Sequence, residues 1–145
     1  MQNSIVDHVL SCRMLSKFAL VIALFCYGGI SFGQGVTVNT NTSPGTSPVN
    51  TAFTVNTSLT LDSSSPDGWD FWVRFRFYDN NNNLLYTKVY NVNIPGMGEV
   101  TPTYATDFTP TATGAVKIKL DIGNGTVVGE GLQETAADIT TTVIP

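Results

Sequence analysis

The pattern that most constrains this chain is a series of short alternating segments separated by turn-forming clusters. Residues 51–61, 69–78 and 115–122 each alternate apolar or β-branched side chains with polar ones. Asp, Asn, Gly, Ser and Pro gather between such segments, for example at 62–68 and 79–83. Alternation with a period of two, bounded by clusters of this kind, predicts β-strands joined by turns.

Beyond residue 33, no segment shows the spacing of an amphipathic helix. Threonine is abundant there, and a β-branched residue suits strands. Short strands at this spacing predict an all-β fold, namely an immunoglobulin-like β-sandwich of about seven antiparallel strands. The predicted strands are 36–39, 51–61, 69–78, 84–92, 99–108 with a break at Pro102, 115–122, 126–128 and 139–144.

The N-terminus predicts an export signal. Two basic residues precede the short apolar run 18–27, and small residues lead to Gly33. This arrangement is typical of a signal peptide over residues 1–33, and the apolar run is too short to span a bilayer comfortably. Met14 is an alternative start, and an uncleaved anchor is the alternative to cleavage. We therefore expect secretion to the cell envelope or the extracellular space, with the periplasm as an alternative.

Removal of residues 1–33 changes the composition of the chain. The 145 residues become 112, and the 7 basic and 11 acidic residues become 5 and 10, a net charge of −5. We expect residues 34–50 to form an edge strand followed by a polar loop or linker, and residues 51–145 to form the sandwich. An acidic chain of this kind argues against a nucleic-acid partner, and we expect no stable membrane span after cleavage.

The mature residues lack the side chains that most catalytic sites need. The single histidine and both cysteines lie within residues 1–33. Catalytic triads and thiol redox chemistry are therefore excluded, as are zinc and copper sites. We expect no enzyme activity and no cofactor. A calcium site at Asp79 with the following asparagines is an alternative to a solvated turn, because calcium binds oxygen ligands.

The order of the segments resembles the CARDB domain, the cell adhesion related domain found in bacteria. The resemblance spans residues 49–143 and rests on "AFTVNTSLTL", "WVRFRFYDNNN", "IPGMGEVTPTYATDFTPTATG" and "AVKIKLDIGNGTVVGE". Asp121, Asn124 and Glu130 are placed as in the family's closing hairpin, with a longer spacing before Glu130, whereas the residues after Glu134 depart from the family. The resemblance implies an immunoglobulin-like extracellular module for adhesion or structure, and it brings no catalytic residues.

One face of the predicted sandwich gathers basic and aromatic side chains. If 69–78 pairs with 84–92 and 115–122, and Tyr78 lies opposite Leu84, then Arg74 lies opposite Lys88 on the outer face. The same register would bring nine residues together there as a candidate binding surface. They are Trp72, Arg74, Arg76, Tyr78, Tyr86, Lys88, Tyr90, Lys117 and Lys119.

Two interpretations of this surface stay open. Cross-strand aromatic pairs, cation–π contacts and ion pairs to Asp70 or Asp121 would support the sheet itself. A like-charge pair such as Arg74 and Lys88 would instead suit an acidic glycan or an acidic protein surface.

The leading functional hypothesis is a secreted, non-catalytic adhesion or structural binding module that acts through a sheet surface. Its partner would be a glycan or protein of the envelope or extracellular space. One alternative is a lectin in which Trp72, Tyr86 and Tyr90 stack on sugars. Another is a self-assembling subunit that adds an edge strand, 36–40 or 139–144, to a neighbour's sheet.

Overall fold

The computed structural model describes residues 34–145, so the predicted signal peptide and its cleavage after Gly33 lie outside the described residues. The described backbone consists of strands, turns and loops without a helix, which confirms the all-β prediction. In this range no helix is therefore available to cross a membrane. The ten strands are β1 Gln34–Thr42, β2 Thr46–Pro48, β3 Phe53–Ser63, β4 Trp69–Tyr78, β5 Leu84–Ile94, β6 Gly98–Val100, β7 Thr103–Phe108, β8 Gly114–Asn124, β9 Leu132–Thr135 and β10 Ile139–Ile144.

The count exceeds the expected seven because short strands form where the sequence indicated loops. The predicted extended segment 99–108 divides at Pro102 into β6 and β7, as its proline suggested. The predicted strand at 126–128 is wrong, since these residues belong to a loop and β9 begins at Leu132.

The strands form two sheets. The small sheet has β3 at its centre, with β1 on one side and β6 and β7 on the other. The large sheet runs in the order β2, β10, β8, β4, β5, and β9 pairs with β8. β4 thus lies between β5 and β8, as predicted. All pairings are antiparallel except that of β2 with β10, which is parallel.

The two sheets share one hydrophobic core, as expected for a β-sandwich. β3 contributes Phe53, Val55, Leu59 and Leu61 from the small sheet. The large sheet contributes Phe71, Val73, Phe75 and Phe77 from β4, and Val116, Ile118, Leu120 and Ile122 from β8. Full burial of such side chains stabilises the fold by about 1.5–3 kcal/mol each. The alternating apolar residues of β4 therefore face the core, as the sequence predicted.

The β4–β5 hairpin turns through Asp79–Asn83. The Oδ1 atom of Asp79 accepts hydrogen bonds from the backbone N–H groups of Asn81 and Asn83, both at 2.8 Å. Its Oδ2 atom accepts one from the Asn83 side chain, also at 2.8 Å. Asn82 adopts a left-handed φ of 61°, which asparagine tolerates better than most residues.

A β-bulge follows this turn and sets the register of β5. Tyr78 lies opposite Leu84, as predicted, but Phe77 lies opposite Tyr86, so Leu85 is an additional residue on β5. A shift of one residue moves every subsequent side chain to the other side of a sheet. The predicted register beyond Leu84 is therefore wrong, and Arg76 lies opposite Thr87.

Candidate binding surface

Six of the nine candidate residues share the outer side of the large sheet, which we call the cationic face. They are Trp72, Arg74, Arg76 and Tyr78 from β4, and Lys117 and Lys119 from β8. In the ladder between these strands, Arg76 lies opposite Lys119 and Tyr78 lies opposite Lys117. The apolar residues between them are buried in the core, so alternation directs this set outward.

The other three candidates, Tyr86, Lys88 and Tyr90, lie on the core side of the large sheet. Tyr86 pairs with Phe77 and Lys88 pairs with Phe75, whose side chains belong to the core. The prediction that these three join the cationic face is wrong because of the bulge.

The like-charge pair predicted between Arg74 and Lys88 does not form. Arg74 lies opposite Val89 on one side and Asp121 on the other. The like-charge neighbours that do face each other are Arg76 and Lys119.

Tyr86 and Tyr90 bridge the edges of the two sheets. The Tyr90 hydroxyl lies 3.1 Å from Oγ1 of Thr106 on β7, and its ring centroid lies 4.6 Å from that of Tyr104. The Tyr86 ring packs 6.0 Å from Phe108. Burial raises the pKa of Tyr104 to about 12, and the nearby Tyr90 hydroxyl adds to the effect. These aromatic residues thus form a seam between β5 and β7.

Trp72 lies on the outer side of the sheet but is fully buried, at 0 % exposure. Its ring lies against Gly123, where an added Cβ atom would clash with the indole. Its Nε1–H donates to the backbone carbonyl of Glu130 at 2.9 Å, and the Arg74 guanidinium lies 5.2 Å from the ring centroid. The loop 125–131 therefore covers Trp72, which rules out this side chain as an open stacking platform.

The sequence pattern alone does not predict that loop 125–131 covers Trp72. Gly123 directly follows the predicted strand 115–122 and has the local pattern of a turn with Asn124 and Gly125, although it is the last outward position of β8 and lies opposite Trp72. A glycine directly across from a large outward aromatic residue is the signal that could have indicated a buried tryptophan.

A single buried carboxylate pairs with both arginines of β4. Asp121 is 3 % exposed, and its Oδ2 atom accepts hydrogen bonds from Nε and Nη2 of Arg74 at 3.1 and 2.9 Å. The same oxygen lies 2.6 Å from Nη2 of Arg76. The proposed pairing of Asp121 with arginine is confirmed. One carboxylate serves two guanidinium groups, so a positive charge remains uncompensated here.

The accessible part of the cationic face lies around Tyr78. Arg76 and Lys119 place their cationic groups 5.7 and 6.0 Å from the centroid of the Tyr78 ring. Lys119 also lies 3.7 Å from Asp138, with both side chains well exposed, and such surface ion pairs contribute little. Lys117 donates to a side-chain oxygen of the hairpin loop at 3.2 Å. Two cations therefore lie against one aromatic ring, and Lys117 lies opposite Tyr78 in the ladder.

Asp79 functions as an acceptor within the hairpin. The hydrogen bonds from the side chain and backbone of Asn83 are the main reason that the pKa of Asp79 lies below its ordinary value. Across residues 34–145, no group of three or more His, Cys, Asp or Glu side chains is placed to hold a metal ion. These contacts fit the solvated turn that was the alternative to a calcium site.

No family model matches the chain, and a search of curated proteins found no match. Among solved structures, the chain is similar to the CARDB domain of a Pyrococcus furiosus protein. The TM-score is 0.47 at 18 % identity, over 79 % of this chain and 90 % of that one. This likeness is to the family that the sequence resembles.

The chain is also similar to parts of larger enzymes. A β-glucuronidase of glycoside hydrolase family 2 matches with a TM-score of 0.47 and 11 % identity over 77 % of this chain. A β-glucuronidase from Bacteroides uniformis matches with a TM-score of 0.48 and 11 % identity, again over 77 % of this chain. The chain spans 11 % and 13 % of these two enzymes. None of the likenesses assigns an activity or a partner to this chain.

Proposed function

We propose that this chain is a secreted, non-catalytic adhesion or binding module with an immunoglobulin-like β-sandwich, and that its cationic face holds an acidic glycan. The observation that carries the proposal is the pairing of Arg76 with Lys119 around the ring of Tyr78. Like charges opposite each other destabilise a sheet. Because Arg76 and Lys119 nevertheless lie opposite each other on two central strands, we expect an anion to be their additional partner.

The chemistry of this site fits sulfate or carboxylate groups attached to a sugar. Arg76 and Lys119 supply donors beside Tyr78, whose half-buried ring offers an apolar surface. Lys117 extends the positive charge along β8 toward the hairpin. Since the rest of residues 34–145 is acidic overall, this face is the part that an anionic glycan would approach with least repulsion.

In the structure, most of the residues on which the lectin and self-assembly hypotheses relied are buried or already paired. The lectin hypothesis relied on Trp72, which is buried, and on two tyrosines that lie in the seam. The self-assembly hypothesis relied partly on residues 139–144, but β10 is paired on both sides, with β8 and β2. Of the proposed edges, β1 alone ends a sheet within the described chain.

Binding to immobilised heparin, a defined acidic glycan, tests the proposal. We expect the wild-type domain to bind at low salt and to weaken as salt rises, because salt screens exposed charges. The double variant Lys117→Glu with Lys119→Glu should bind at least about ten-fold more weakly, which corresponds to about 1.4 kcal/mol.

Lys88→Glu is the control for each single replacement, because it changes the charge by the same amount as Lys119→Glu alone but lies on the core side of β5. It should leave heparin binding intact. Equal binding by the wild type and the double variant, or binding that ignores salt, would contradict the proposed site. Secretion is tested separately by N-terminal sequencing of exported protein, for which we expect Gln34 as the first residue.

A further inference from the structure

Strand β5 is a long free edge of the large sheet. Within the described residues it pairs with β4 alone. Leu84, Leu85 and Tyr86 at its start are 56 %, 48 % and 38 % exposed. An edge strand presents a row of backbone N–H and C=O groups without partners, onto which another strand can add.

Lys88 restricts what this edge can accept. It is the only charged residue of β5, and its Nζ atom lies 5.3 Å from the centroid of the Tyr90 ring. Among the described side chains, no carboxylate forms an ion pair with it. A charge directed to the core side of an edge strand discourages pairing with apolar strands, because the ammonium group would lose water without gaining a partner.

We propose that β5 is a second interaction surface, at which an extended segment of an acidic polypeptide adds as an antiparallel strand. Tyr86 and Lys88 lie two positions apart on the same side of the sheet, since side chains alternate along a strand. In antiparallel pairing, the added segment places Asp or Glu opposite Lys88 and an apolar residue two positions later opposite Tyr86. The carboxylate pairs with the ammonium group, and the apolar residue extends the aromatic seam.

Charge complementarity favours a different polypeptide over a second copy of this chain. The edge strands β1, β2 and β5 contain no Asp or Glu. β7 carries Asp107, but its carboxylate is held 2.6 Å from Oγ1 of Thr54. β6 and β9 carry Glu99 and Glu134, but these strands have only three and four residues. A second copy therefore offers Lys88 no suitable counter-charge from a long free edge.

The test uses a synthetic nine-residue peptide, acetyl-TVTETITVT-amide, and a matched peptide with Lys in place of Glu. Affinity is measured by fluorescence polarisation, and the site by amide hydrogen exchange. We expect wild-type protein to prefer the Glu peptide by at least about ten-fold, with added exchange protection over 84–92. Lys88→Glu should reverse the preference, whereas Lys117→Glu, on the cationic face, should preserve it.

Equal affinity for the two peptides, protection outside β5, or no binding at millimolar peptide would overturn the inference. Sedimentation of the protein alone gives an additional check. A dimer that dissociates when Lys88 is replaced by Glu would assign β5 to a second copy and overturn the inference also. The heparin experiment concerns a different surface, so either proposal can fail while the other stands.

Discussion

Strand β4 meets its two neighbours in different ways. Against β8, the pairing keeps one register from Phe71 to Tyr78. Against β5, the register shifts at Phe77 and Tyr78. The faces predicted from the sequence are right on the β8 side and wrong on the β5 side, although both strands alternate in the same manner.

The difference follows from how completely each strand is enclosed. β8 has neighbours on both sides and buries Ile118, Leu120 and Ile122 completely. A one-residue slip of β8 would expose these residues and bury lysines, so a single register is strongly favoured. β5 has a neighbour on one side only and carries apolar or aromatic residues on both faces, so its alternation alone does not define a register.

Truncation of Trp72 should have the largest effect on stability, because this side chain is fully buried. It lies in the ladder between β4 and β8, where the predicted register is right. We expect Trp72→Ala to lower the free energy of unfolding by about 3–5 kcal/mol, the usual cost of removing a fully buried large aromatic side chain. Chemical denaturation measures this loss, and Tyr78→Ala is a control with a smaller expected loss. A nearly unchanged stability with loss of glycan binding would instead make Trp72 an exposed platform.

Removal of the charge on Asp121 should have the next largest effect. In Asp121→Asn, Arg74 and Arg76 lose their shared counter-charge in a partly enclosed site, and we expect a loss of about 2–3 kcal/mol. Denaturation curves at neutral pH would show it. Asp138→Asn, at the exposed pair with Lys119, should change stability by less than about 0.5 kcal/mol. Similar effects in the two variants would mean that the buried network contributes no more than a surface ion pair.

Deletion of Leu85 tests whether packing or the turn defines the register of β5. We expect the deletion to remove the bulge, to keep Tyr86 opposite Phe77, and to change stability by no more than about 1 kcal/mol, the order of a single cross-strand pair. Nuclear Overhauser contacts between Tyr90 and Thr106 should persist. Deletion of Thr87, the matched control, would invert the faces of the rest of the strand and should destabilise the protein more. If the Leu85 deletion also abolished the Tyr90 contacts, the turn would be the determinant.

The features that the sequence predicts correctly and those that it does not differ in the same way as the β8 and β5 sides of β4. Strand class, the hairpin at Asp79–Asn83, the core face of β4 and the outward lysines of β8 follow from local patterns. We attribute the bulge at Leu85 to the fit of Tyr86 and Tyr90 against β7, which is distant in sequence. The burial of Trp72 depends likewise on a loop that returns more than fifty residues later, at Glu130. Contacts of this range leave little local signal, and Gly123 is the one trace in this case.

The smallest expected effect is a pH dependence that arises in the seam between β5 and β7. The pKa of Tyr104 is raised by burial from 10.0 to about 12, so the unfolded chain loses this proton at lower pH than the folded one. The stabilisation that comes from keeping Tyr104 neutral is therefore complete below pH 10 and is lost as pH rises toward 12. Because its hydroxyl has no hydrogen-bond partner within the described residues, Tyr104→Phe should be well tolerated at neutral pH. The denaturation midpoint of the wild type should then fall more steeply over this pH range than that of Tyr104→Phe, and parallel profiles would show that the seam is open to water.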